Sequence, residues 1–330
     1  MRALLATLAT LALVAGGGGC GGSDNTPKKD AAPAPAPNQE PKQGTAVDEI
    51  EVGHLPTAVT VAGGSVWVAN TQDDTVTRIE PISLTAVGEP ISVAKEPVSL
   101  AAGEGAIWVA TMVGDSVIRI DPESGRVVGE PIPVGDRPLA VAVGEGSVWA
   151  FNSLAGTVNR IDPQSGKVLS ESPRLVGRAG TPDFAGLAVA NGSVWVSSPS
   201  EGTVVRLDVA TNRPDKPIRV GAGPFGLAVA DGAVWVANYD DGTVTRLDAR
   251  TGKVVGAITV GGQPIAVAVD DDGAVWVANA AGQLAQIDPE SDAVVGEPVK
   301  VGSRPQGVAA GEGAVWVVNQ FDNTLSRVKT

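Results

Sequence analysis

Apolar and polar residues alternate along the chain in short runs. Leu139-Ala140-Val141-Ala142-Val143 and Ser65-Val66-Trp67-Val68-Ala69-Asn70 are examples. A period of two is what a strand needs when its two faces meet different surroundings. Gly, Pro, Asn and Asp interrupt the runs, as in Gly144-Glu145-Gly146 and Asp121-Pro122-Glu123-Ser124-Gly125. These are hairpin-turn residues, so the runs read as strands joined by tight turns.

The strands recur in a fixed block. The seven Trp residues stand at 67, 108, 149, 195, 235, 276 and 316, spaced 41, 41, 46, 40, 41 and 40 apart. Pro56, Pro97, Pro138, Pro224 and Pro305 each precede their Trp by eleven residues. After each Pro come an alternating run, a Gly turn, the strand around the Trp, a second turn and a strand such as Thr75-Val76-Thr77-Arg78-Ile79. An Asp-Pro turn and a fourth short strand, such as Glu130 to Val134, complete the block. Four strands repeating near every 40 residues make a propeller blade. The chain is therefore expected to be all-β, a seven-bladed β-propeller over residues 48–330 with four antiparallel strands per blade. The last copy stops after its third strand, Leu325 to Val328. Asp48-Glu49-Ile50-Glu51-Val52-Gly53 aligns with Glu130 to Gly135. Strand 48–52 is expected to join the last blade and seal the ring, leaving only short protected edges.

The pattern Gly-x-x-Pro, Val-Trp-Val-Ala-Asn and Val-x-Arg-Ile-Asp-Pro resembles the bacterial secreted seven-bladed propellers with YVTN-type repeats. It is also similar to the streptogramin-opening virginiamycin B lyases, again over residues 48–330. The resemblance implies the fold. One fold hosts many functions, so activity has to be argued from a site. The lyase resemblance implies a histidine pair, carboxylates and Mg²⁺. This chain has one histidine, His54, so the base and metal-ligand roles lack their residues.

Ahead of the repeats, Arg2 is followed by an apolar run from Ala3 to Ala15, then Gly16 to Gly19 and Cys20. That run is too short to span a bilayer as a helix and suits a secretory signal. Gly18-Gly19-Cys20 resembles the end of a bacterial lipoprotein signal, although Gly17 stands where Leu is usual. The expectation is a signal peptide over 1–19, lipidation at Cys20 and a tether over 20–47. The tether carries Pro27, Pro33, Pro35, Pro37 and Pro41 and has no apolar period. It would reach about 80 Å as polyproline II or about 30 Å as a coil. This predicts an extracytoplasmic domain held on the cell membrane by lipid.

Composition narrows the chemistry. Across 330 residues there are one Cys and one His, which excludes intrachain disulfides and Cys/His zinc sites. The net charge of −13 argues against nucleic acid as a partner. Gly221-Ala222-Gly223-Pro224-Phe225-Gly226 fits a dinucleotide fingerprint in letters, but it leads into a strand and not a helix. Asp270-Asp271-Asp272-Gly273 lacks the Glu and the spacing of a calcium loop and reads as a solvated acidic turn. His54 reads as a solvated turn histidine. The once-per-blade Trp reads as core packed between blades. Arg78, Arg119, Arg160, Arg206, Arg246 and Arg327, with Gln286 the exception, suggest an inter-blade contact. The Asn three after Trp (Asn70, Asn152, Asn238, Asn279, Asn319) suggests an Asx-turn.

Sites are expected where the copies differ. The second hairpin turns and the blade-to-blade links share one face, and Phe151, Phe184, Phe225, Tyr239 and Phe321 map to it or beside it. His54, Lys95, Arg137, Arg178 and Arg304 lie in the links. Asp73, Asp74, Asp240, Asp241 and Glu201 share that face. The opposite face carries Glu104, Glu145, Asp231, Asp270 to Asp272 and Glu312. Basic groups beside aromatic planes suit an anionic or saccharide ligand, or a protein. The candidate binding residues are Arg178, Phe184, Phe225, Tyr239, Arg137 and Arg304, with the longer link of blade four, Gly177 to Phe184, as a pocket wall. The expected function is a monomeric, non-enzymatic binding module with no catalytic residue, metal or cofactor. The alternatives are a lyase-like enzyme with altered catalytic residues and a structural scaffold.

Overall fold

The structure, a computed structural model, describes residues 47–177, 183 and 185–330. Cys20, the signal and tether segments, Arg178 and Phe184 lie outside the described residues. Seven antiparallel sheets are present, and each is one blade. The inner strands open at the five predicted prolines, in Pro56–Ala62, Pro97–Gly103, Pro138–Gly144, Pro224–Ala230 and Pro305–Gly311, and in blade six at a further proline, in Pro264–Val269. Blade four opens at Leu187–Ala190. Each inner strand packs on those of its two neighbours, and the first meets the last, so the ring is closed.

Closure uses the predicted strand shifted by one residue. Val47–Glu51 pairs antiparallel with Thr324–Lys329, with Ile50 opposite Leu325 and Asp48 opposite Arg327. The Asp48 carboxylate accepts from the Arg327 guanidinium across that pair.

The seven Trp are buried to 2 % exposure or less. Each joins apolar side chains of the next blade. Trp108 packs on Val141 and Val148, and Trp316 packs on Val59 and Val66. The core is therefore a set of layers between blades, not one central core. Indole N–H groups that deep are usually given acceptors, although that of Trp195 has none. Trp67, Trp108, Trp149 and Trp316 donate to the carbonyl five residues back, at 3.0–3.1 Å. That carbonyl is fixed by first-hairpin turns such as Glu104-Gly105 and Glu312-Gly313. Both central residues there have positive φ, as a type I′ turn requires.

Blade six has a longer first turn, and its solution differs. Trp276 donates to Asp270 Oδ2 at 2.7 Å, while Asp270 Oδ1 accepts from the backbone of Asp272 and Ala274. The expected solvated acidic turn is thus corrected at Asp270, which replaces the backbone carbonyl that the insertion moves away.

The recurring Arg makes the expected inter-blade contact. Each stands opposite its Trp, and five of them stack over the indole at 5.1–5.7 Å. Each also donates to a backbone carbonyl in the third turn of the following blade, from Arg78 to Glu123 O through Arg327 to Pro81 O. Gln286 faces blade seven, whose outer strand comes from Val47–Glu51 and not from a third hairpin. An Arg there would lack its target.

The third turns also hold their acids ionised. Backbone N–H and hydroxyl of Ser124 and Ser165 keep Asp121 and Asp162 below the usual carboxylate range. The hydroxyls and backbone of Thr211 and Thr251 do the same for Asp208 and Asp248.

Candidate functional site

The second hairpin turns and the links meet at one end of the ring, and a recurrent device places side chains there. In six inner strands the pairing register slips just after the opening proline. The bulged residues are Thr57, Val98, Leu139, Phe225 with Gly226, Ile265 and Gln306. A bulge leaves one residue out of the ladder and re-aims its side chain. All seven residues are half-buried. The ring end is therefore lined by unladdered and mostly apolar side chains.

Of the predicted site residues, Phe225 and Tyr239 come together. Their ring centroids are 5.4 Å apart and tilted by 51°. The Tyr239 hydroxyl donates to Gln263 Oε1 at 3.1 Å. Arg304 instead covers Phe321, with its guanidinium 5.1 Å from the ring centroid. Phe321 is 62 % exposed. Arg137 sits apart from both pairs. Its Nη2 donates to Met112 Sδ at 3.3 Å, and its Nε is buried without a partner. Arg137 and Arg304 share a link position of positive φ, with values of 56° and 51°.

Phe151 lies beside this face, under the link of blade four, and not on its surface. It is fully buried against Val158, Leu175, Val176 and Ala185. It occupies the strand position that is Ala69, Ala110 or Ala237 in other blades, and that position faces the neighbouring blade.

His54 is exposed, with Nδ1 2.9 Å from Asp73 Oδ1, and its own N–H donates to Asp73 Oδ2 at 2.7 Å. Asp241 and Asp322 accept from link backbone in the same way at Ala222 and Ser303. Asp73 is thus a link anchor common to three blades. Asp74, Asp115 and Asn323 hold the following link through Glu96, Arg137 and Leu55 N–H. The expected Asx-turn is found only at Asn279, which accepts from Ala281 N–H. Asn70, Asn152, Asn238 and Asn319 reach across the hairpin to third-strand acceptors such as Thr77, Asn159, Thr245 and Ser326.

The link of blade four brings in a residue that the sequence reading did not single out. Asp183 is 4 % exposed and accepts from the hydroxyls of Ser198 at 2.6 Å and Ser200 at 3.0 Å. Ser197 donates to Phe225 O at 2.7 Å. The signal was there in the second strand of blade four, which ends Ser197-Ser198 where five of the other six blades end in Asn. Among the described residues no group of three or more His, Cys, Asp or Glu could hold a metal ion.

The family model described as outer membrane protein assembly factor BamB matches residues 94–258, half of the chain. The chain belongs to this family. No curated protein matches it in sequence. Among solved structures, virginiamycin B lyase from Staphylococcus aureus is similar at 15 % identity and TM-score 0.73, covering 86 % of this chain and 99 % of that one. A Kuenenia stuttgartiensis hydrazine synthase chain matches at 15 % identity and TM-score 0.72, covering 84 % and 96 %. A chain of a mitotic checkpoint complex matches at 12 % identity and TM-score 0.75, covering 93 % and 99 %. At these identities the likeness is one of fold.

Proposed function

We propose that the chain is a lipid-anchored, extracytoplasmic, non-enzymatic module that binds a protein partner through the link end of the ring. One observation carries the reading: Phe321 is held out in solvent beneath Arg304, on the same ring end as the Phe225–Tyr239 pair. Exposed aromatic rings and arginine are what interface hot spots are made of, and burying an aromatic ring is a large gain on binding. The family description, a factor for outer membrane protein assembly, supports a place outside the cytoplasm and work on other proteins. The checkpoint-complex relative is a propeller within an assembly. No observation favours the lyase alternative, since His54 is spent on Asp73 and has no second histidine to work with.

The test is affinity purification of the full chain from its own membranes, with quantitative mass spectrometry. Wild type should sediment with membranes and enrich a defined partner. Cys20→Ala should move to the soluble fraction. Tyr239→Ala/Arg304→Ala/Phe321→Ala should stay membrane-bound and lose the partner by about thirtyfold, as hot-spot truncations do. An unchanged partner set in the triple variant would refute the binding face. An unchanged distribution of the Cys20 variant would refute the anchor.

A further inference from the structure

The six repeated arginines serve as internal controls for what a guanidinium needs at the seam between two blades. In blades one and three, Arg78 and Arg160 donate from Nε to Ser65 and Ser147, both at 2.9 Å. In blade four, Arg206 pairs with the carboxylate of Asp215. In blade five, Arg246 pairs with Asp292 at 2.7 Å, and in blade seven Arg327 pairs with Asp48. Every one of these arginines thus has a hydroxyl or a carboxylate besides the carbonyl of the next blade.

Arg119 of blade two has neither. Its Nη1 donates to Pro163 O at 3.2 Å and its guanidinium stacks on Trp108. The serine position is Ala106, two residues before Trp108. The Asp215 position is Val128. Asp215 N–H donates to Arg206 O, and Val128 N–H donates to Arg119 O, both at 2.8 Å. The Asp292 position is Gly166, the last residue of the matching Asp-Pro turn, and both have positive φ. Among the described residues no carboxylate lies within ion-pair distance of Arg119.

Two of those positions, Val128 and Gly166, line an open groove beside Arg119. It holds about 360 Å³ and is lined by Arg119, Val128, Pro131, Ile132, Gln164 and Gly166, with the exposed Glu130 also on its wall. We infer that this seam between blades two and three binds a small carboxylate with an apolar body. The carboxylate takes the place that Asp215, Asp292 and Asp48 fill at their own seams, and the body rests on Val128, Pro131 and Ile132. Charge-assisted hydrogen bonds to a guanidinium are the strong kind, and Arg suits a planar carboxylate. The site is independent of the proposed protein-binding face. It uses an outer strand and a third turn, whereas that face uses links and second turns.

The experiment is calorimetric titration of the full chain with benzoate and isovalerate, with benzamide as the neutral control of the same shape. Benzoate should bind saturably and benzamide should not. Val128→Asp supplies the carboxylate from within, so it should weaken benzoate by about tenfold or more, the equivalent of one lost charge-assisted bond. Val128→Asn trims the apolar wall without adding a charge, so it should weaken benzoate clearly less than Val128→Asp does, and both variants change an exposed side chain. Arg119→Gln should abolish binding, and Glu130→Gln should tighten it. Equal binding of benzoate and benzamide, an unchanged affinity in V128D, or no saturable binding of either carboxylate would overturn the assignment.

Discussion

Asp270 shows how one side chain can compensate for a change of backbone. Six blades close their first hairpin with two residues, and blade six uses Asp270 to Gly273. The longer turn displaces the carbonyl that the indole N–H would otherwise meet, and the carboxylate of Asp270 takes over while tying down two backbone N–H groups. Asp270→Ala therefore leaves the deeply buried Trp276 without an acceptor. Loss of a buried acceptor costs about 1–3 kcal/mol, and the two turn bonds add to it. We expect a loss near about 3 kcal/mol in urea unfolding, against a change within about 0.5 kcal/mol for Asp271→Ala beside it. At this scale the sequence was legible where a residue recurs. The Trp layers and the inter-blade role of Arg78 and its equivalents follow from repetition alone. It was illegible where one copy departs. Phe151 looks like a loop-end aromatic in the sequence, yet it lies in the face that packs on blade four. Asp183 does not itself point to Ser198 and Ser200, which lie 15 and 17 residues downstream, and only the unusual Ser197-Ser198 strand end marks the place.

Between elements, the links and the second strands are fitted to each other. A methyl group at Gly53, Gly135, Gly221 or Gly302 would come within 2.5–2.7 Å of Asn70, Asn152, Asn238 or Asn319 in the same blade. The Asn side chain fills the space that a β-carbon would need. Blade two makes the exchange in both places, with Thr111 for Asn and Ala94 for Gly. Both features are visible in the sequence as separate patterns. Their coupling is not, because the two residues are 17 apart in the chain and meet only once the hairpin folds, as Gly53 and Asn70 do. The pair predicts non-additive mutants. Gly302→Ala should cost about 2–3 kcal/mol by overpacking. Asn319→Thr should cost about 1 kcal/mol for its bond to Ser326. The double variant, which copies blade two, should be more stable than Gly302→Ala alone, a coupling of about 1 kcal/mol or more. Simple addition of the two losses in chemical unfolding would show that the glycine is there for another reason.

For the whole ring, stability rests on one non-local strand pair. Every blade but the last is built from consecutive chain, so each can form from local hairpins. The last needs Val47–Glu51 to meet Thr324–Lys329 across nearly the full chain length. Such long-range pairing comes late in folding, after its loop-closure entropy has been met. The strand seals a seam as well as a sheet. Ile50 and Val52 pack with Trp316, Leu325 and the blade-one residues Val59 and Val66. The sequence announced this closure because the fourth strand missing at one end is present at the other. What binds the finished ring was less legible, since a surface pairs with a molecule that the sequence does not contain. Two truncations separate the tether from the closing strand. Removing residues 1–43 should leave the melting temperature unchanged, because the strand remains. Removing residues 1–52 takes away two half-buried side chains and a strand's ladder, together about 3–5 kcal/mol. For a domain of this size that is a fall of about 10 °C. It also leaves Thr324–Lys329 as a bare edge, so the shorter chain should self-associate in light scattering. Adding a peptide of residues 47–52 should raise the melting temperature again and disperse the associated form. If the two truncations melt together, the ring holds without its closing strand, and the inter-blade Trp layers alone carry the closure.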